Sequence, residues 1–286
     1  VSLSTYKTRL FTKKIMSHST EDSGKHDNLE HKSTAELLAL INEEDKMVPL
    51  AIEKALPQIV KITDKVISVL ENGGRIFYLG AGTSGRLGVV DASELPPTFG
   101  VPHGLFIALI AGGDSAIRKA VEFAEDDPGG ALPALAEHNV STADMVIGIA
   151  ASGTTPYVVG ALAWCRKQGI ATGCVVCNTG SPVVEQSDFP VEVITGAEFV
   201  TGSTRMKAGT AQKLVLNMIS TTAMIKTGHV KGNKMVDMQL TNAKLVKRGT
   251  RMIMEQTGIP EEQARRLLLQ SGSVRNALEK TKKQNP

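Results

Sequence analysis

The sequence predicts an α/β fold built on a parallel sheet with helices on both faces. Three observations predict it. Five short apolar runs, at residues 75–79, 105–110, 145–150, 172–177 and 191–194, mostly end in Gly-containing turns. Helical stretches of roughly 10–15 residues lie between most of them, and such alternation is the pattern of βαβ units buried on both faces. Aromatic residues make up only 4% of the 286-residue chain while Gly numbers 27, which suits tight βα turns better than an aromatic-rich sandwich.

The elements follow in order. Residues 1–16 are basic and free of acids, and read as a disordered leader or added sequence ahead of a start at Met16. Residues 17–32 form a polar lead-in. Ser33 and Glu36 make a capping box for a helix whose apolar stripe is Leu37, Leu38 and Ile41. Residues 45–71 continue helically, with Pro49 and Pro57 placed near helix starts, and Gly73-Gly74 stops them. The first strand then runs into Gly80. Pro96-Pro97 reads as a rigid corner just after Glu94, and the acidic run 122–127 as the end of the helix that follows the second strand. From about residue 202 the chain is helical again. Residues 17–256 are expected to form one body, with 257–286 a short helical appendage opened by Pro260.

Several function classes are excluded. The formal charge is +3, from 32 basic and 29 acidic residues. Lys7, Arg9, Lys13 and Lys14 all lie in the first 15 residues; without them 28 bases face 29 acids, a net of −1. The basicity is therefore local, and no nucleic-acid partner is expected. No apolar run approaches the ~18 residues of a membrane span, and no secretory signal is expected. Three cysteines are too few and too odd for a disulfide framework, so a reducing, cytoplasmic setting is expected. Cys174 and Cys177 form a C-x-x-C inside an apolar run with no second pair, which reads as core and not as a metal site.

Two loops carry the chemistry. The first strand runs into Gly80-Ala-Gly-Thr-Ser-Gly85, the third into Ala151-Ser-Gly-Thr-Thr-Pro156. Each offers Gly for close backbone approach, hydroxyls to donate, and a helix whose free N–H groups attract anions. Together they could close around one phosphate monoester, with Ser84, Ser152 and Thr155 donating. The first loop also fits G-x-G-x-x-G, so a dinucleotide site is the rival, although the nearest ribose-holding acid, Asp114, comes late. A bare βα turn is the third possibility. Two carboxylates stand out beyond the loops: Glu94, and Glu125 within the acidic run. A pair of carboxylates, one ionised and one protonated, is what acid/base chemistry at carbon requires.

At these residues the chain resembles the N-acetylmuramic acid 6-phosphate etherase family. The resemblance rests on Gly80-Ala-Gly-Thr-Ser-Gly-Arg-Leu-Gly88, Asp91-Ala-Ser-Glu94 with Pro-Pro-Thr-Phe-Gly100, Gly148-Ile-Ala-Ala-Ser-Gly153 and the run 201–217, and spans roughly residues 20–258. It implies a sugar isomerase (SIS) domain with a flavodoxin-like parallel sheet sandwiched by helices, a homodimer, and no metal or nucleotide cofactor. It implies a phosphorylated amino-sugar substrate whose D-lactyl ether at C3 is removed by elimination and then hydration, in recycling of peptidoglycan sugars. By motif position Glu94 would be the acid, Glu125 the C2 base, and Thr83, Ser84, Ser152, Gly153 and Thr155 the phosphate-holding residues. A dimer is expected also because the helices at 33–71 and 202–256 carry wide apolar faces. The sequence departs from the family pattern at Leu95, where Cys is common, at Thr154, where Arg is common, in the lead-in after Glu21, and in a C-terminal part expected to be reduced. The alternatives are a non-catalytic phosphosugar sensor, similar to glucokinase regulatory protein, and a phosphosugar isomerase.

Overall fold

The computed structural model describes residues 19–284, so the leader assigned to residues 1–16 lies outside the described residues. The five apolar runs become strands β1 (Ile76–Gly80), β2 (Phe106–Ile110), β3 (Met145–Ala150), β4 (Ala171–Val176) and β5 (Phe189–Glu192). All pair in parallel, in the order β2-β1-β3-β4-β5. The strand order reverses between β1 and β3, the point in an open α/β sheet where ligands bind. β5 begins two residues before the expected run and includes Pro190. An edge strand tolerates proline, whose missing N–H can face away from the ladder.

Eleven α-helices are described: α1 (Thr34–Asp45), α2 (Met47–Glu71), α3 (Gly82–Phe99), α4 (Ser115–Arg118), α5 (Leu132–Glu137), α6 (Pro156–Lys167), α7 (Pro182–Glu185), α8 (Lys207–Lys226), α9 (Ala243–Thr257), α10 (Glu261–Ser271) and α11 (Val274–Gln284). The two-residue strands β6 (Val230–Lys231) and β7 (Lys234–Met235) form a hairpin over Gly232-Asn233, inside the stretch expected to be helical. Side chains alternate across β1, as pleating requires. Ile76 and Tyr78 face a core shared with α2, α3 and α8, while Phe77 and Leu79 face α5, α6 and α7. The wide apolar faces of α2 and α8 are thus largely used within one chain, although Leu50, Leu56 and Val60 of α2 remain exposed.

Pro57 does not lie at a helix start, and Pro96-Pro97 do not form a corner. α2 passes through Pro57, and α3 contains both Pro96 and Pro97. Pro57 is exposed, so the Glu53 carbonyl it leaves without a partner can turn to water. Pro96 and Pro97 fall in the last turn of α3, where buried Leu95, Pro96 and Phe99 hold the helix on the core. Glu94 therefore stands on a helix and not at a corner. The acidic run is misplaced in the opposite sense. α4 ends at Arg118, and residues 122–127 form irregular turns with Phe123 at φ 61°.

The C-terminal helices have an apolar cluster of their own. A separate apolar cluster joins Val236, Met238, Ile253, Leu268 and Val274, so α9 packs with α10 and α11. This cluster docks on the end of α3. The Gln239 N–H donates to the Pro97 carbonyl at 3.2 Å, and a Cβ on Gly100 would lie 2.0 Å from the Asp237 carbonyl oxygen.

Two polar networks brace the sheet. Asp91 of α3 is buried and accepts from Tyr78 Oη (3.1 Å), Asn217 Nδ2 (2.7 Å) and Ser220 Oγ (3.1 Å). Burial pushes its carboxyl above the ordinary value although these donors pull it down. Asp144, ahead of β3, accepts from Arg75 N, Nε and Nη2 and from Ser141 N at 2.9–3.1 Å. Burial acts to raise the Asp144 carboxyl, but these hydrogen bonds outweigh it and hold the group below its ordinary 3.8. Its stabilisation is complete above that value and is lost as pH falls through the lower folded value. Asp144→Asn should cost about 2–3 kcal/mol by urea unfolding near neutrality, because buried donors lose their acceptor. The variant should also lack the wild type's acid-side loss at this position; equal urea midpoints for the two proteins at pH 7 would refute the assignment.

Candidate active site

The first loop exists because two glycines meet. A Cβ on Gly80 would stand 2.8 Å from Gly85 N, and one on Gly85 would stand 2.7 Å from Gly80 O and 2.6 Å from Ile110 Cγ1. α3 can therefore start directly on the end of β1. Its first N–H groups, at Gly82, Thr83 and Ser84, have no intrahelical partner, and these three residues line a cavity of about 360 Å³. Ser152, Thr154 and Thr155 line the facing wall, at the end of β3. Pro156 opens α6 behind them.

The predicted residues take distinct parts. Thr83, Ser84, Ser152 and Thr155 line the cavity. The Ser84 hydroxyl donates to Gln212 Oε1 at 2.9 Å, so what it offers a ligand most directly is its backbone N–H. Ser152 Oγ accepts from Thr154 N (3.2 Å) and Thr154 Oγ1 (2.9 Å), which leaves its own hydrogen to donate. Thr154, where the family often has Arg, thus orients Ser152. Gly153 does not line the cavity. It is buried behind the loop at φ 73°, its N–H donates to Ala150 O, and a Cβ there would lie 2.1 Å from Ser181 Oγ.

Glu125 lines the same cavity, at its rim. Its carbonyl accepts the Tyr157 N–H of α6 at 3.0 Å, and three residues later the Pro128 carbonyl oxygen packs where a Cβ of Gly160 would be, at 2.0 Å. The irregular acidic loop is therefore clamped to α6, which explains how a carboxylate outside any helix keeps its place. Glu94 is not brought there. It is exposed on α3 and absent from the cavity wall; ten residues beyond Ser84, it lies about 15 Å along the helix. The expectation that both carboxylates share one pocket fails within a single chain.

Sequence reasoning missed Glu21, Asp126 and Thr204, which also line the cavity. Glu21 belongs to the lead-in, pinned there by Asn178, whose amide oxygen accepts from Thr20 N (3.2 Å) and whose Nδ2 donates to Thr20 Oγ1 (2.8 Å) and Ser152 O (3.1 Å). No local pattern in a polar lead-in announces that long-range pin. Thr204 precedes α8, whose first N–H groups, at Lys207 and Ala208, donate to the Glu198 carboxylate at 2.9 Å. The cavity wall thus holds three carboxylates and no Lys or Arg. An anion on its floor would be held by N–H groups, hydroxyls and helix termini. Cys174 is buried in β4 and Cys177 just beyond its end, and burial pushes both thiols up to about 12. Among the described residues no helix is long and apolar enough to cross a membrane.

Comparison with known proteins agrees with this geometry. Residues 58–166 match the model of the glucokinase regulatory protein N-terminal SIS domain, and residues 232–286 match that of the C-terminal lid domain of glucokinase regulatory protein. An N-acetylmuramic acid 6-phosphate etherase of Christiangramia forsetii is 60% identical over 91% of this chain and 95% of its own length. One from Bacteroides fragilis is 56% identical over 91% of this chain and 92% of its own. Among solved structures, a phosphoheptose isomerase from Neisseria gonorrhoeae shares the fold, with a TM-score of 0.52 and 15% identity over 67% of this chain and 98% of its own. The second family match begins at residue 232, close to where the C-terminal apolar cluster starts.

Gly153→Ala should destabilise the protein by about 2–4 kcal/mol, from the left-handed backbone and the clash with buried Ser181. Thermal melting checks this, and an unchanged Tm would mean that the loop can relax freely.

Proposed function

The chain belongs to the N-acetylmuramic acid 6-phosphate etherase family, and from that premise we propose that it converts N-acetylmuramic acid 6-phosphate and water to N-acetylglucosamine 6-phosphate and D-lactate. The observation that carries this reading is the cavity at the β1/β3 switch point, where two hydroxyl-bearing loops face one clamped carboxylate, Glu125. The floor suits a phosphate monoester: N–H groups at 82–84 and the hydroxyls of Ser152 and Thr155 converge without a cation.

The chemistry follows from the substrate. Opening the sugar ring frees an aldehyde at C1, which acidifies the C2 proton. Glu125 takes that proton, and the C–H electron pair forms the C2–C3 double bond as the C3–O bond breaks. The lactyl oxygen leaves as an alcohol once it is protonated, the part that motif position assigns to Glu94. Water then adds at C3 of the unsaturated aldehyde, C2 regains a proton, and the ring closes. The polar rim of carboxylates stays apart from the phosphate floor, so one cavity serves both a dianion and a base. We further propose a homodimer, a cytoplasmic setting in keeping with free, buried cysteines, and a role in recycling peptidoglycan amino sugars.

The test is D-lactate release from N-acetylmuramic acid 6-phosphate, read with D-lactate dehydrogenase. Folded protein that binds the phosphosugar without releasing lactate would return the sensor reading. Glu125→Gln should lower kcat by about 10²–10⁴-fold, with product affinity nearly unchanged. Ser152→Ala should weaken phosphosugar affinity by roughly tenfold or more, the worth of one hydrogen bond to a charged group. Wild-type turnover in Glu125→Gln would refute its role as base.

A further inference from the structure

The proposed substrate carries two anions, and the cavity accounts for one of them. The phosphate has the floor. The carboxylate of the lactyl group would meet a wall that holds Glu21, Glu125 and Asp126 and no cation. We propose that this carboxylate is received by a second pocket beside the cavity, where Arg86 recognises it and sets the specificity of the site. The inference rests on the etherase reading and says where the leaving group lies.

The pocket is built by the segment that follows α4. Gly112 comes just after β2 at φ 85°, and a Cβ there would lie 2.7 Å from Val121 Cβ, so this segment lies directly on the end of the strand. It encloses a space of about 140 Å³ beside α3, which shares Ala81, Gly82 and Glu125 with the cavity. A protein cavity of about 150 Å³ admits benzene, which has six non-hydrogen atoms. The lactyl group, counted with its ether oxygen, has the same number. Ala111, Ala116 and Ala120 offer its methyl group small apolar neighbours.

Arg86 is the cation of that pocket. It is half-buried on the second turn of α3. Its Nε donates to the Ile117 carbonyl and its Nη2 to the Ala116 carbonyl, both at 2.8 Å. Those bonds fix the guanidinium plane against α4 and use two of its five N–H groups. They go to carbonyls and not to a carboxylate, so they leave the charge in place. The hydrogens that remain sit on the two Nη nitrogens, the pair that meets a carboxylate through parallel bonds. The other charged groups on the pocket wall, Glu122 and Glu125, are exposed, where water and salt screen them.

The reaction fixes which side of the cavity the lactyl group takes. Glu125, the proposed base at C2, lines both spaces. C3 is one bond from C2, so the ether oxygen departs beside Glu125, where the two spaces join. Phosphate on the floor and carboxylate at Arg86 then pin the substrate at two points and present C2 to the base.

A change of substrate tests this in the wild-type protein. N-acetylmuramic acid 6-phosphate is compared with its lactyl carboxamide, which keeps the ether and loses the charge, and turnover of each is read as N-acetylglucosamine 6-phosphate by chromatography. The acid should be favoured by about 10–100-fold in kcat/KM, the worth of a hydrogen bond between charged groups. Arg86→Met should lose that factor on the acid, treat acid and amide alike, and bind the product, which lacks the lactyl group, as the wild type does. Ala120→Leu, at an exposed position, should fill the pocket and raise KM for the acid by about tenfold, again with product affinity unchanged. Equal kcat/KM for acid and amide in the wild type would overturn the proposal. An Arg86→Met protein that keeps the preference for the acid would overturn it too, as would wild-type kinetics in Ala120→Leu. Should Arg86→Met fail to fold for want of its bonds to α4, the other two comparisons decide. Wild-type protein that turns over neither compound would sink the etherase reading instead, and the preference for acid over amide would then be measured as affinity by calorimetry.

Discussion

The contact between Gly80 and Gly85 is the constraint on which the site depends. Any side chain at either position would push α3 off the end of β1. With both absent, the helix begins at the strand end and aims its free N–H groups into the β1/β3 crevice. That arrangement lets a protein body of slightly negative charge receive an anion. The partial charge comes from oriented peptide groups that cannot fold away or titrate. It also leaves room for a base, since no lysine or arginine in the wall competes for the carboxylates at the rim.

The second wall is built by the same means with different partners. Gly153 allows the 151–156 loop to turn over Ser181, and Gly160 lets the Pro128 backbone lie directly on α6. The Tyr157 N–H holds the Glu125 carbonyl. The loop and the helix are thus joined backbone to backbone beside the carboxylate. A cavity of this type needs its groups held to within a fraction of an ångström, and backbone contacts do this better than long side chains could.

Much of this was legible in the sequence. Strands fully buried on two faces show as continuous apolar runs, and Gly-Ser-Thr loops after them mark the ligand edge. The prolines were not legible, because their effect depends on position. Pro57 is exposed on a long helix, and Pro96 and Pro97 sit in a last turn held by buried neighbours, so none of them breaks its helix. Glu21 and Thr204 were missed because their placement depends on contacts far along the chain, such as Asn178 with Thr20. Glu94 was singled out by its motif, but its distance from the cavity was not legible, since a motif gives residue identity and the rise of a helix gives distance. Leu95, a departure from the family pattern, is explained by burial: it faces the core, away from solvent.

The buried Asp91 has a consequence beyond bracing. Its three hydrogen bonds reach strand β1 on one side and α8 on the other, so they fix the angular phase of α3 about its own axis. A rotation of about 20° would swing a side-chain tip on the outer face by some 2 Å, given a helix radius of about 5 Å with side chains. Apolar packing alone would tolerate such a roll, because Leu and Val contacts slide. A carboxylate locked between a tyrosine and two α8 donors does not. Asp91 thus works as an indexing pin: it sets the direction in which the far side of the helix presents its residues, and it does so from the opposite side of the helix.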